Sequence, residues 1–431
     1  MVHLLIAFVR ALAVLCSLLL GLITALVVFI CAAHVTSSVG AMAILALISC
    51  SLVTGGLAWL AGFGISSLKR HRIALGTMAA SVFAVGLLAF LFVIKPTLSA
   101  DKANLPDPPE GTRYWELSTG SRIAYLEVPA DKPARSTPVV FLHGGPGGNV
   151  VSVEPIVRAL TPLATEGYTL FFYDQVGGGF SSRLADVTQY TLARHVADLE
   201  AVRAQIGSPK MILIAQSWGG VLAARYMVDF PHRVETTVFI SPGGFDHSNR
   251  DSEVSGNIKD RVPPSVLRKA LLDAGPRLAV LEELVKINPE AAHRFLPEPA
   301  ADVMGTRLLS ALLVGAVCDP SAKSDEFGLY FGTWCQLMTN LDLENHPHEW
   351  QQRLLSNPTP ILILRGECDY LKSMVTERYL QLFKKSTLVA IQGAGHFVWF
   401  EKPQEVFSRI RDFLLDDPGR DMPQAGQSRK Q

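Results

Sequence analysis

Ser217 stands in the run Ile214-Ala215-Gln216-Ser217-Trp218-Gly219-Gly220, directly behind the apolar stretch Met211-Ile212-Leu213-Ile214. An apolar run ending in small-x-Ser-x-Gly predicts a buried strand that turns sharply into a helix and lifts the serine hydroxyl clear of the backbone. Such a turn admits only small flanking residues, here Ala215 and Gly219. A serine held this way attacks carbonyls once a histidine takes its proton and a carboxylate orients that histidine. Both partners follow in the order Ser, Asp, His. Pro360-Ile361-Leu362-Ile363-Leu364-Arg365 reads as a buried parallel strand, and the turn Gly366-Glu367-Cys368-Asp369 puts Asp369 at its carboxyl end. Ser386-Thr387-Leu388-Val389-Ala390-Ile391 reads as a further strand, and Gly393-Ala394-Gly395-His396 sets His396 on a loop that small residues leave free to reach Ser217. Asp246, after the strand Thr236-Thr237-Val238-Phe239-Ile240, is the alternative acid, and the later strand favours Asp369.

The negative charge that develops on an attacked carbonyl oxygen needs N–H donors. Pro138-Val139-Val140-Phe141-Leu142 predicts a strand, followed by His143-Gly144-Gly145-Pro146-Gly147-Gly148. A glycine-rich turn lets backbone N–H groups approach the oxyanion without side-chain clash. The expected donors are the N–H groups of Gly145 and of Trp218, with His143, Gly144 and Pro146 shaping the turn. Asp174 also sits at a strand end, where its glycine-rich turn suggests a structural hydrogen-bonding role.

These motifs presuppose an α/β fold, a mostly parallel sheet with helices on both faces. Three stretches together resemble the proline iminopeptidases and their relatives in the α/β-hydrolase superfamily. They are His143-Gly144-Gly145-Pro146-Gly147, Asp174-Gln175-Val176-Gly177-Gly178-Gly179-Phe180-Ser181 and Gln216-Ser217-Trp218-Gly219-Gly220. The likeness covers about residues 113–415. It implies an α/β-hydrolase fold with an inserted helical cap at about 245–356, between core parts at 113–244 and 357–418. It also implies an enzyme that removes an N-terminal residue, frequently proline, from a short peptide, through Ser217, Asp369 and His396. The family writes arginine where Val176 stands. Its aminopeptidases carry a cap Trp-Glu pair whose carboxylate meets the substrate amine. The matching residues here are Trp334 and Cys335, a tentative substrate pocket that keeps the tryptophan and lacks the acid. An amine entering a low-dielectric pocket needs a counter-charge, for which Glu326, Glu344 and Glu349 are candidates. Esters, lactones and acyl transfer are the alternative chemistries, and a ligand-binding domain without catalysis is the alternative outside enzymes.

The first ninety-five residues hold five Lys or Arg and no Asp or Glu. Uncharged apolar stretches at 11–33, 41–63 and 73–94 each reach the ~20 residues that cross a bilayer core. They predict three transmembrane helices rather than a signal peptide, whose apolar core is shorter. Leu68-Lys69-Arg70-His71-Arg72 is basic, whereas His34-Val35-Thr36-Ser37-Ser38-Val39-Gly40 has no Lys or Arg. The positive-inside rule then puts the N-terminus and the basic loop in the cytoplasm and the C-terminal domain outside it. Gly55, Gly56, Gly62, Gly64 and Gly76 read as glycines common in membrane helices rather than as packing contacts. Residues 96–112 read as a proline-rich linker, and 419–431 as a disordered tail.

The remainder carries thirty-four basic against thirty-nine acidic residues, which gives no footing for nucleic-acid binding. No metal or cofactor is implied, and His346-Pro347-His348 reads as a polar loop. Cys16, Cys31 and Cys50 read as packing residues of the spans, and Cys368 as a small buried filler. In an oxidising compartment Cys318 and Cys335 are candidates to pair.

Overall fold

A computed structural model describes residues 2–95, 107–131, 134–245, 256–322, 330–346 and 349–415. The expected acid alternative Asp246, most of the linker and the tail lie outside the described residues, as do Glu326 and His348. The chain divides into two compact units, Met1–Ala103 with Leu272–Ala300, and Asn104–Leu271 with Ala301–Gln431.

In the first unit three helices, α1 (Val2–Ala32), α2 (Val39–Ala61) and α3 (Ser67–Ala89), are long and apolar enough to cross a membrane. Apolar residues of these helices face outward, as they would against lipid: Leu19, Ile23, Leu52 and Phe83 are all more than half exposed. The helices meet through small and polar groups instead. Ala25, Ala46 and Cys50 are buried together, and the buried hydroxyls of Thr54 and Ser81 lie 3.0 Å apart. Gly55 is a contact glycine after all, since a Cβ there would come within 2.5 Å of Met78, whereas Gly56 and Gly76 have open space beside them. At the carboxyl end of α2, Arg70 donates to the Trp59 carbonyl at 2.6 Å and stacks on its ring, and Arg10 donates to the Phe63 carbonyl at 3.0 Å. Cations there satisfy carbonyls that a helix end leaves unpaired. The same unit includes the helices Pro276–Ile287 and Pro289–Phe295. Asn288 caps the second of these by accepting from Ala291 N–H. Its Nδ2 donates to the Ala33 carbonyl at 2.9 Å, Ser37 Oγ donates to Glu290 at 2.9 Å, and the Phe29 and Phe295 rings meet at 5.8 Å.

The second unit is built on an eight-stranded sheet in the order β1-β2-β4-β3-β5-β6-β7-β8. The strands are β1 (Arg113–Glu116), β2 (Arg122–Val128), β3 (Val139–Leu142), β4 (Leu170–Tyr173), β5 (Met211–Gln216), β6 (Val234–Ile240), β7 (Ile361–Gly366) and β8 (Ser386–Ile391). β1–β2 and β2–β4 are antiparallel, and every other pair is parallel. The continuous apolar runs of β3, β4 and β5 are buried throughout, as strands covered by helices on both faces must be. One core cluster joins alternate residues of these strands, such as Phe141, Phe172 and Ile214, to Trp399 and Ile410 from the C-terminal helices. The long insertion between β6 and β7 supplies further helices, Thr333–Asn345 among them. Parallel register leaves the carboxyl ends of β3, β5, β6, β7 and β8 along one edge, where α/β sheets place their sites.

Candidate active site

β5 runs straight into the helix Trp218–Asp229 through Ser217, whose backbone sits at φ +51°. Left-handed conformation at a serine is strained and persists only where neighbours over-determine it. They do: Ser217 N–H donates to the Ile240 carbonyl at 3.1 Å, and its own carbonyl accepts from Gly220 and Gly243, each at 2.8 Å. Any side chain at Gly219 would collide with the Leu142 carbonyl, and a Cβ on Gly144 would come within 3.0 Å of Ser217 Cβ. These approaches are the physical reason for glycine at Gly219, after the serine, and at Gly144 on the facing turn.

His396 and Asp369 form a buried pair. Nδ1 of the ring lies 2.8 Å from Asp369 Oδ1, and both side chains are 1% exposed. Burial pushes the Asp369 carboxyl up, but the His396 ring and the Leu371 N–H outweigh it and hold the group below its usual range. An ionised Asp369 fixes the ring with its proton on Nδ1, leaving Nε2 as the basic nitrogen. Gln216, the last residue of β5, reaches the His396 carbonyl with its side-chain amide at 3.5 Å, which sets the histidine loop beside the serine turn. That loop is not free, as its small residues suggest, but clamped. His396 N–H donates to the Ala316 carbonyl at 2.7 Å, and Gly395 is packed so closely on Ala316 and Val317 that a Cβ would not fit.

The turn after β3 contains Gly145 at φ +131° and Gly147 at φ +80°, with a cis Gly145-Pro146 peptide. His143 braces it. Nε2 accepts from the Gln175 N–H at 2.8 Å, so the ring proton is on Nδ1 and is donated to the Gly144 carbonyl at 2.8 Å. Burial lowers the His143 pKa to about 4, so the ring is neutral near pH 7.

Gln175 is the residue that pattern reading missed. Its Nε2 donates to the His143 carbonyl at 3.0 Å, and its Oε1 accepts from the Trp218 indole at 2.9 Å. One buried amide therefore ties the glycine turn to the residue after the serine, the two places expected to donate to an oxyanion. Its only signal in the sequence is its place after Asp174 in the glycine-rich motif. Asp174 itself clasps loops. It accepts from the Val150, Val151 and Phe180 N–H groups at 2.7, 3.0 and 2.9 Å, although burial raises its pKa to about 6.

Gly332 N–H donates to the Gly147 carbonyl at 2.7 Å, which brings the start of the helix Thr333–Asn345 onto the glycine turn. Trp334 and Cys335 on that helix are fully buried. The Cys335 Sγ lies 3.4 Å from the Val176 carbonyl and 3.6 Å from His195 Nε2. The two departures from the family pattern, Val176 and Cys335, thus touch each other. Burial lowers the His195 pKa to about 3, with the nearby His143 and Arg194 adding to the effect.

Cys335 is not the partner of Cys318. Cys318 is bridged to Cys368, with Cα atoms 5.4 Å apart, while Cys335 is buried and not disulfide-bonded. Cys368 is therefore a cross-link between the turn that carries Asp369 and the β6–β7 insertion, not a filler.

A model of the α/β hydrolase fold matches residues 137–271. The proline iminopeptidase of Heyndrickxia coagulans is 27% identical over 301 residues, covering 69% of this chain and 96% of that protein. A bovine (lyso)-N-acylphosphatidylethanolamine lipase is 26% identical over 315 residues, covering 70% and 86%. Among solved structures, Cfl2 from Burkholderia cenocepacia superposes with a TM-score of 0.52 at 16% identity, over 72% of this chain and 99% of that one. Fold and matches make this chain an α/β-hydrolase and an enzyme of the hydrolase class. Within that class it is proline iminopeptidase-like, as the three glycine-rich motifs imply.

Proposed function

We propose that the protein is a membrane-anchored serine hydrolase in which Ser217 attacks a carbonyl, His396 carries the proton and Asp369 holds the histidine. The oxyanion that forms is held by the N–H groups of Gly145 and Trp218. An acyl-enzyme follows, and water releases it. The observation that carries this reading is the buried 2.8 Å His396–Asp369 pair beside a strained serine turn. The relatives named proline iminopeptidases favour an aminopeptidase acting on short peptides.

A second reading, a neutral acyl amide or ester, is favoured by one contact. Cys335, in place of the family carboxylate, sits buried against the Val176 carbonyl and a neutral His195. Relatives named (lyso)-N-acylphosphatidylethanolamine lipases are in keeping with it. Three substrates given to the detergent-solubilised full chain separate the readings: prolyl-naphthylamide, its N-acetylated form and a short-chain nitrophenyl ester. Turnover confined to the free amine supports the aminopeptidase. Turnover of the ester and the blocked amide without advantage to the free amine supports the second. If Ser217→Ala keeps full turnover on all three, both fail.

The same proposal places the N-terminus in the cytoplasm and the hydrolase outside it. Two observations support that orientation besides the basic α2–α3 loop. The turn between α1 and α2 is hydrogen-bonded to Asn288 and Glu290 of the β6–β7 insertion, which is consistent with both lying on one side of the bilayer. A cross-link between Cys318 and Cys368 suits an oxidising compartment.

A further inference from the structure

Both loops that carry the acid–base pair are fastened to one short segment of the β6–β7 insertion, residues 316–319. On the histidine side, Ala316 accepts from His396 N–H at 2.7 Å. Glu401, at the end of the helix Val398–Glu401, spans the junction. Its Oε1 accepts from the Cys318 and Asp319 N–H groups, each at 2.8 Å, and its Oε2 accepts from Gly395 N–H at 2.6 Å. On the acid side, Cys318 is covalently joined to Cys368, the residue before Asp369, and Cys368 N–H donates to the Ala394 carbonyl at 2.9 Å. Beneath them Leu313, Ala316 and Phe397 pack as a small buried cluster. A carboxylate that takes three backbone N–H groups from two separate loops has its geometry fixed by both, and hydrogen bonds to an ionised acceptor are about twice as strong as neutral ones.

We propose that Glu401 and the Cys318–Cys368 bridge are positioning residues that seat residues 316–319 against the acid–base pair, so that the triad is assembled only while this part of the insertion is docked. The proposal rests on the roles given above to Ser217, Asp369 and His396. Neither Glu401 nor the bridge touches substrate. Their effect is on where His396 and Asp369 stand, and a misplacement of about 1 Å at reacting groups costs on the order of a hundredfold in rate.

The test uses the full chain in detergent and the nitrophenyl ester. Glu401→Ala removes all three acceptor bonds and is expected to lower kcat by about ten- to a hundredfold while KM stays within about twofold. Glu401→Gln keeps one acceptor oxygen for the Cys318 and Asp319 N–H groups and is expected to recover most of that loss. The bridge is opened in the folded wild type with dithiothreitol, which leaves two protein thiols and the cyclic disulfide of the reagent. A Cys318→Ser, Cys368→Ser double variant repeats the change without reductant. Both are expected to show the same kcat-selective loss.

Glu401→Ala and the opened bridge each keeping kcat within about twofold overturns the proposal. So does Glu401→Gln matching Glu401→Ala with kcat, KM and melting temperature falling together, because that pattern marks a merely structural role. Labelling of Ser217 in the wild type by a fluorophosphonate keeps the two levels apart. An unlabelled wild type means that the catalytic reading has failed. A labelled wild type with indifferent Glu401 variants means that only the positioning role has failed.

Discussion

Gln175→Leu tests whether the site is one connected unit. Leucine nearly conserves the volume, so the change isolates the two side-chain hydrogen bonds, at 3.0 Å to the His143 carbonyl and 2.9 Å from the Trp218 indole. Gln175 is 2% exposed, His143 2% and Trp218 3%, so water cannot replace the lost partners without reorganisation. Each buried polar group left unsatisfied costs about 1–3 kcal/mol, and two of them give about 2–6 kcal/mol. For a unit of this size that lowers the melting temperature by about 5–10 °C. Catalysis falls further than stability alone requires, because the turn bearing Gly145 and the residue after Ser217 lose their common tie. Removing one oxyanion donor costs roughly 3–4 kcal/mol, and a loosened donor pair is expected to lose a part of that, about tenfold in kcat. Near-UV circular dichroism melts and ester turnover of the solubilised chain give both quantities. A melting point within about 1 °C of the wild type, or a full loss of stability with kcat untouched, refutes the reasoning.

Asp369→Asn is expected to lower kcat by about 10³–10⁴ with little change in KM, and to slow fluorophosphonate labelling of Ser217 to a similar degree. A drop below about tenfold returns the role of the acid to Asp246. Burial holds the pKa of His143 at about 4 and that of His195 at about 3, below the unfolded value of 6.5, so the unfolded chain binds more protons and stability is lost as pH falls from 6.5. Each contributes about 3 kcal/mol by pH 4, partly offset by about 2 kcal/mol from Asp174, whose raised value lets the folded state take a proton first. Denaturant midpoints that stay flat between pH 7 and pH 4.5 contradict this balance. In intact cells a membrane-impermeant maleimide is expected to label Ser37→Cys and to reach Lys69→Cys only after permeabilisation, and the reverse pattern inverts the topology.

The parts of this protein that were legible in its sequence are those encoded locally. β3, β5 and β7 are written as unbroken apolar runs because both their faces are covered, and each ends in a turn whose glycines mark where backbones nearly touch. The three N-terminal helices long and apolar enough to cross a membrane are legible for the same reason, since apolar length is enough to announce them. What sequence hides is pairing between distant segments. Cys318 lies nearer in sequence to Cys335 than to Cys368, yet the fold sets Cys368 at the end of β7 against the returning insertion and turns Cys335 inward to His195. Gln175 is invisible because an amide between two loops has no periodicity. Pro276–Ile287 and Pro289–Phe295 read as part of a cap, yet they form a compact unit with the spans through Asn288 and Phe295, contacts that no local pattern announces.

Val176 and Cys335 bear most directly on the choice of substrate. A cation entering a buried pocket requires an ionised partner, because desolvating an unpaired charge costs several kcal/mol. The family pattern has charged groups at both positions, and this chain has neutral ones that touch. His195, against the thiol, is kept neutral by burial, and its ring meets the Trp218 indole edge-on at 5.6 Å. His195, between the Cys335 thiol and the Trp218 indole, therefore carries no charge near pH 7. The proposed second reading, a neutral acyl group, rests on this replacement of the family acid by Cys335. A strong preference for the free amine in the paired assay would then have to draw its counter-charge from a carboxylate elsewhere in the β6–β7 insertion, and removing that carboxylate would abolish the preference while leaving ester turnover intact.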